Sequence, residues 1–323
     1  MNKYIKSNNY YQNKQIGSSI KKYNCSLKYQ DTYTGVSNIY AIGDIHGDCS
    51  VLIKLLKKIK LINSKLEWIG KDTHLVQLGD ILDGFIRHDI LSSHEKDSIM
   101  ALEEFTILEL LNDLDQQARK VGGRVHYLIG NHELMNVIGD FSYVLSNHMS
   151  DISHDLRKTL FQPGGYMAQM LACHSYSVLK INDWIFCHGG LLPIHLKNID
   201  IPDKITYIND ILRNVLLNNV KLNELSEKDM NTILGDDGIY WTRHYKFDTN
   251  KCNTLENTLQ IINNDKKKGG MILGHTPHSN VTSYCHNKLY FVDVGLSRSF
   301  PSNEFKNLEA LYISGDKKPV VVN

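Results

Sequence analysis

The chain has 323 residues, enough for one large or two ordinary domains at roughly 100 to 200 residues each. Its 42% hydrophobic and 22% charged residues exclude a disordered, collagen-like or coiled-coil chain. With 36 Lys and Arg against 35 Asp and Glu, the formal charge of +1 gives no broad attraction to polyanions, so neither nucleic acid nor a membrane surface is expected as a partner. The 15 histidines are a richer clue, because imidazole is both a common metal ligand and the group that titrates near neutral pH.

In chain order, residues 1–37 are polar, carry no acid before Asp31, and read as an N-terminal extension, either a tail or a docking arm. No run there has the length of a signal-peptide core, and no later stretch reaches the roughly 18 apolar residues of a membrane span. The six cysteines lie far apart with no C-x-x-C pair, so they read as reduced thiols and the expected location is cytoplasmic.

From Asn38 a rhythm begins. Short apolar runs, NIYAI (Asn38 to Ile42), HLVQL (His74 to Leu78), VHYLI (Val125 to Ile129) and MIL (Met271 to Leu273), each stop at a glycine followed by polar residues, as buried strands do. Between them Val51, Leu52, Leu55, Leu56 and Ile59 share one helical face, as do Leu102, Phe105 and Leu108. The fold class is therefore α/β, in which loops at the carboxyl ends of strands gather on one side of a sheet. Two helical insertions interrupt the pattern. The first, about 140–174, contains QPGGYM and reads as a lid or as a peripheral helix pair. The second, about 195–236, carries Ile205, Ile208, Ile211, Leu212, Val215 and Leu216 at helical spacing. Strands Leu289 to Val294, Ala310 to Ile313 and Pro319 to Val322 close the chain and suggest a two-sheet core.

Five polar clusters follow the strands: G-D-I-H-G-D (Gly43 to Asp48), G-D-I-L-D-G (Gly79 to Gly84), G-N-H-E (Gly130 to Glu133), H-G-G (His188 to Gly190) and G-H-T (Gly274 to Thr276). Each offers oxygen or imidazole ligands, and only a folded sheet edge could unite them. Two Asp, one Asn and three His are too many donors for one catalytic ion but suit two ions sharing a carboxylate. Such ions, roughly 3.5 to 4 Å apart, polarise a phosphoryl group for in-line attack. Imidazole and carboxylate without sulfur favour two divalent ions of Mn, Fe or Zn over Ca or an all-oxygen Mg cage.

This order of motifs resembles the metallophosphoesterase superfamily and, within it, the phosphoprotein phosphatase family, from about Ile42 to Ser297. NHELMNVIGD (Asn131 to Asp140), IYWTRHY (Ile239 to Tyr245), ILGHTPH (Ile272 to His278) and FVDVGLSRS (Phe291 to Ser299) resemble its Shewanella-like, bacterial-type branch. The resemblance implies a calcineurin-like fold over 38–323, a central β-sandwich flanked by helices with two metals at the strand ends. Asp44, His46 and bridging Asp80 would hold one ion; Asp80, Asn131, His188 and His275 the other. His132 would be the general acid, oriented by Asp83, or else a structural group behind the ligands. Asn131 and Arg243 would contact phosphate, unless Arg243 is a solvated surface charge. Where the family expects an arginine after Asp83, Gly84 stands instead, and Arg87 and Arg298 are the candidate replacements, or else solvated charges.

The function so implied is a metal-dependent phosphoprotein phosphatase acting on phosphotyrosine or phosphoserine/threonine in a protein or peptide, by attack of a metal-bridging hydroxide. The alternatives are a dinucleoside polyphosphate hydrolase, which shares most of the metal motifs, and a catalytically weak phosphopeptide-binding protein, suggested by the missing arginine.

Overall fold

The computed structural model describes Tyr23 and residues 29–84, 101–144, 154–300, 307–315 and 317–323. Its strands, numbered in chain order, form two six-stranded sheets. One runs β12 (Val320–Val322), β11 (Ala310–Ser314), β2 (Asn38–Ile42), β3 (His74–Gln77), β4 (Arg124–Leu128) and β5 (Ser175–Tyr176). The other runs β1 (Thr32–Tyr33), β6 (Val178–Ile181), β7 (Trp184–Cys187), β8 (Gly270–Leu273), β10 (Leu289–Phe291) and β9 (Thr282–Tyr284).

Period-two alternation builds the sandwich. Ile39 and Ala41 of β2, Val76 of β3, Phe186 of β7 and Ile272 of β8 point into one buried cluster between the sheets. Their neighbours Ile42, Leu75, Ile185, Met271 and Leu273 point the other way, into the larger core under the helices. The helices that matter for the site are α1 (Cys49–Lys58), α2 (Ala101–Arg119), α3 (Asn131–Ile138), α4 (His154–Phe161) and α5 (Tyr166–His174). They are followed by α6 (Pro193–Leu196), α7 (Lys204–Leu216), α8 (Glu227–Leu234), α9 (His244–Phe247) and α10 (Lys251–Asn263). Strands β2, β3 and β4 are mutually parallel, and so are β7 and β8, so each set ends at one edge of its sheet. All five clusters leave from those edges.

Two expectations change. The extension set at 1–37 ends earlier, because Thr32 and Tyr33 pair in parallel with Lys180 and Ile181, and Tyr33 packs into the sandwich. The side chain of Asp31 accepts hydrogen bonds from Thr206 and Asn209 of α7, which ties this stretch to the second insertion. The reduced thiols are also corrected: Cys252 at the start of α10 and Cys285 in the turn between β9 and β10 form a disulfide, while Cys49 and Cys187 are free and buried. Disulfides persist in oxidising compartments, so the cysteines no longer argue for a cytoplasmic location. Among the described residues no helix is long and apolar enough to cross a membrane. In the first insertion, α4 and α5 form a packed helix pair, one of its two expected forms, with Leu160, Phe161, Met167 and Leu171 in the main core, while Asp140, Ser142 and Tyr143 line the cleft described below.

Candidate metal centre

The backbone at the strand ends is bent hard. His46, Asp80, Asp83 and His275 all have left-handed φ, at 42°, 52°, 62° and 64°, which non-glycine residues adopt only when their surroundings impose it. Two buried carboxylates impose it on the Asp80 to Gly84 loop. Glu133 Oε1 accepts the N–H groups of Ile81 and Leu82 at 2.8 and 3.0 Å, and Oε2 those of Asp80 and Gly130 at 2.9 and 2.8 Å. Glu104 Oε1 accepts those of Asp83 and Gly84 at 2.8 and 3.2 Å. Every N–H from Asp80 to Gly84 is thus held by a glutamate. Burial pushes the Glu133 carboxyl up to about 7 and the Asp80 charge adds to this, while the backbone donors favour its ionised form. Gly130 has to be glycine, since a Cβ there would lie 2.1 Å from Asp80 Oδ1.

On this frame the ligand candidates converge. Asp80 Oδ2 lies 3.2 Å from His188 Nε2 and 3.9 Å from the Nε2 atoms of both His46 and His132. His188 Nε2 is also 3.0 Å from Asn131 Oδ1. Asp44 accepts the N–H of His275 on both oxygens, at 3.3 and 3.1 Å. Burial alone would raise the Asp80 carboxyl, but His188, then His132 and His46, hold it well below the ordinary range. His275 is driven down to about 3, by burial first and then by His188 and Arg243.

Whether these residues fit metal ions is answered by the far side of each imidazole. A carbonyl oxygen can only accept, so a ring nitrogen facing one carries the proton. His46 Nδ1 donates to Leu82 O at 3.1 Å, His188 Nδ1 to Leu78 O at 2.7 Å, and His275 Nε2 to Trp241 O at 2.9 Å. In the neutral ring the opposite nitrogen, Nε2 in His46 and His188 and Nδ1 in His275, is then left with a lone pair. Main-chain carbonyls commonly orient metal-ligating histidines in this way. At His188 the Nε2 atom faces the oxygens of Asn131 and Asp80, so the three acceptors need a positive centre among them, which a proton on Nε2 or a metal ion can supply. Two groups of donor atoms, His46 with Asp80 and His132, and Asp80 with His188 and His275, each lie within 4.8 Å of one another. Asp80 belongs to both, as a bridging carboxylate should.

His132 is held differently. Its Nδ1 meets the carboxylate of Asp83 at 2.9 Å, and its ring packs edge-on against Tyr143 at 5.0 Å. Asp44, His46, Asp80, Asn131, His132, Arg243 and His275 all line one cleft of about 590 Å³, with Met135, Tyr143, Trp241 and Pro277 also in its wall. His188 lies fully buried behind it.

The family description Calcineurin-like phosphoesterase matches residues 37–292. The chain is a calcineurin-like phosphoesterase. It is 31% identical over 242 residues to an uncharacterized protein of Acanthamoeba polyphaga mimivirus, covering 63% of this chain and 94% of that one. It is 29% identical over 293 residues to Shewanella-like protein phosphatase 1 of Plasmodium berghei, covering 86% and 73% respectively. Among solved structures, a cold-active protein-tyrosine phosphatase of a psychrophilic Shewanella species matches with a TM-score of 0.72 and 29% identity, over 89% of this chain and 78% of that one. The fold, the two sheets flanked by helices and the hydrolase class agree with the expectations from sequence.

The remaining arginines of this phosphoesterase separate. Arg243, the residue before α9, is exposed on the cleft. Arg87 lies outside the described residues. Arg298 is turned to other work: its Nε donates to Asp48 Oδ2 at 2.7 Å and its Nη2 to Asp48 Oδ1 at 2.9 Å. Asp48 is the N-cap of α1, and despite burial Arg298 holds its carboxyl below the ordinary value. Since the Arg298 side chain is 40% exposed, its loss should cost less than breaking a fully buried pair, about 1 to 2 kcal/mol in chemical denaturation. Arg298→Ala should leave kcat/KM within about threefold of wild type; a large rise in KM would return Arg298 to the phosphate site.

Sequence reasoning missed Glu104, Asn136 and Arg157, which surround Asp83. Glu104 had a signal, because with Leu108 and Leu111 it repeats at helical spacing on a buried face.

Proposed function

We propose that this phosphoesterase is a metal-dependent phosphoprotein phosphatase with a preference for phosphotyrosine. The observation that carries the reading is His132, presented to the cleft beside Asp80 while its other ring nitrogen is bound by Asp83. Asp44, His46 and Asp80 would hold one ion, and Asp80, Asn131, His188 and His275 would hold the other. Two divalent ions held there, of Mn, Fe or Zn, would supply a hydroxide nucleophile at neutral pH and polarise the phosphoryl group. Arg243 offers a planar pair of donors to two phosphate oxygens, and the Asn131 amide contributes beside it. His132 then protonates the departing oxygen, with the Asp83 carboxylate keeping its ring turned towards the cleft. Tyr143, Trp241 and Met135 give the cleft wall an aromatic and apolar character suited to a phenolic leaving group. The Shewanella structural relative is a protein-tyrosine phosphatase, which supports the same preference.

The reading is tested by offering a phosphotyrosine peptide, a phosphoserine peptide and diadenosine tetraphosphate side by side, each with Mn²⁺ and with chelator. The phosphotyrosine peptide should turn over fastest, and chelation should abolish turnover. Faster hydrolysis of the dinucleotide would replace the assignment. Peptide binding without turnover would make the protein a phosphopeptide reader.

A further inference from the structure

Arg157 has no part in the chemistry described so far. It comes from α4 and shares a helical face with Leu160 and Phe161, so local pattern would place an apolar residue there. It is 1% exposed and does not line the cleft. Its Nη2 donates to Asp83 Oδ1 at 3.1 Å and to Glu104 Oε2 at 3.0 Å, and its Nε donates to Asn136 Oδ1 at 2.6 Å. Asn136 passes the restraint on, with Nδ2 donating to both Asp83 oxygens at 3.0 and 3.1 Å and to the carbonyl of His132 at 2.8 Å. On Asp83 Oδ2 the other partner is His132 Nδ1, at 2.9 Å.

We infer that Arg157 is a positioning residue for leaving-group protonation: it locks the Asp83 carboxylate in the rotation that presents Oδ2 to His132. The inference rests on the proposed acid role of His132. The torsion that turns a carboxylate about its own axis is soft and broad. Asn136 also holds both Asp83 oxygens, but its own amide is anchored by Arg157, so without the guanidinium the carboxylate and the amide could turn together with the imidazole. The same guanidinium holds Glu104, whose other oxygen grips the N–H of Asp83, so side chain and main chain of that residue are fixed by one cation. The loop needs such a brace from outside, because Asp83 has a left-handed φ of 62° and the next residue, Gly84, brings no side chain. A buried ion pair adds little net stability over well-packed apolar groups, so stability alone is a weak reason for an arginine at this place.

The test is steady-state kinetics of the Mn²⁺-loaded full chain with phenyl phosphate and 2,4-dinitrophenyl phosphate. Arg157→Lys, Asp83→Asn and the double variant are compared with wild type. Arg157→Lys should lower kcat for phenyl phosphate about tenfold, with KM and metal content near wild type, and for the dinitrophenyl ester about twofold or less. In the Asp83→Asn background the same change should cost less than about twofold, because Arg157 acts through Asp83. If the lysine variant does not fold, the charge-balanced pair Arg157→Met with Glu104→Gln is read in its place. Equal loss on both esters, additive loss in the Asp83→Asn background, or an unchanged kcat overturns the inference. Failure of both Arg157 variants to fold also overturns it, by making the arginine a stabilising group alone. Asp83→Asn by itself separates the two readings. Leaving-group dependence there with none at Arg157 sinks the positioning role, and none in Asp83→Asn sinks the acid role beneath it.

Discussion

Asp80→Asn should release both metal ions and lower kcat/KM on the order of 10³-fold or more, because nucleophile and electrophilic assistance depend on the ions together. The change keeps the shape of the side chain and removes its charge. Asp80 Oδ2 is the point on which His46, His132 and His188 converge, and the residue belongs to both groups of candidate ligands. Its main chain is fixed by Glu133 and does not depend on the carboxylate charge, so the variant should fold. Asp44→Asn is the contrast: Asp44 is assigned to one ion, and its loss should leave the other bound. Elemental analysis after gel filtration and calorimetric titration with Mn²⁺ read both variants. Two ions retained by Asp80→Asn at wild-type affinity would show that the bridge is elsewhere.

His132→Asn should behave in the opposite way, keeping the metals and losing turnover. Geometry alone permits His132 as a ligand, since its donor atom groups with those of His46 and Asp80. Its hydrogen bonding argues otherwise. The three imidazoles assigned to the metals are held by main-chain carbonyls, whereas His132 is held by a carboxylate that stabilises the charged ring, as suits an acid. A positioned acid is worth about 10² to 10⁴ in rate, so kcat should fall by that factor for an ester with a poor leaving group. For a dinitrophenyl ester the loss should shrink, because a stable anion needs little protonation in the transition state. Equal losses on both esters, or missing metal, would move His132 into the coordination shell.

Much of this site could be read before folding because its signals are local. A run such as HLVQL stops at Gly79, and the residue that follows, Asp80, has to leave at the strand end. Three more runs do the same, and α/β topology puts parallel strand ends on one edge. The alternation that sends Val76 between the sheets and Leu75 under the helices is equally local, a matter of period two.

What the linear chain carried no sign of depends on partners far away in sequence. Arg157 reads as one basic residue in an ordinary amphipathic helix, and its role needs Asp83, 74 residues earlier, to be buried against it. Arg298 is a phosphate candidate on charge alone, and only the fold brings Asp48, 250 residues away, against its guanidinium. The Cys252–Cys285 pair joins residues 33 apart that only the return of β9 and β10 towards α10 brings together. Thr32 and Tyr33 count as strand only because Lys180 and Ile181 offer them an edge. By itself the sequence determined the candidate ligand types, their order and the strand ends that carry them, since these follow from residue chemistry and short-range periodicity. Tertiary structure alone decided which charges face one another, because that choice depends on chain-distant groups being buried together, where an unpaired charge costs too much to remain.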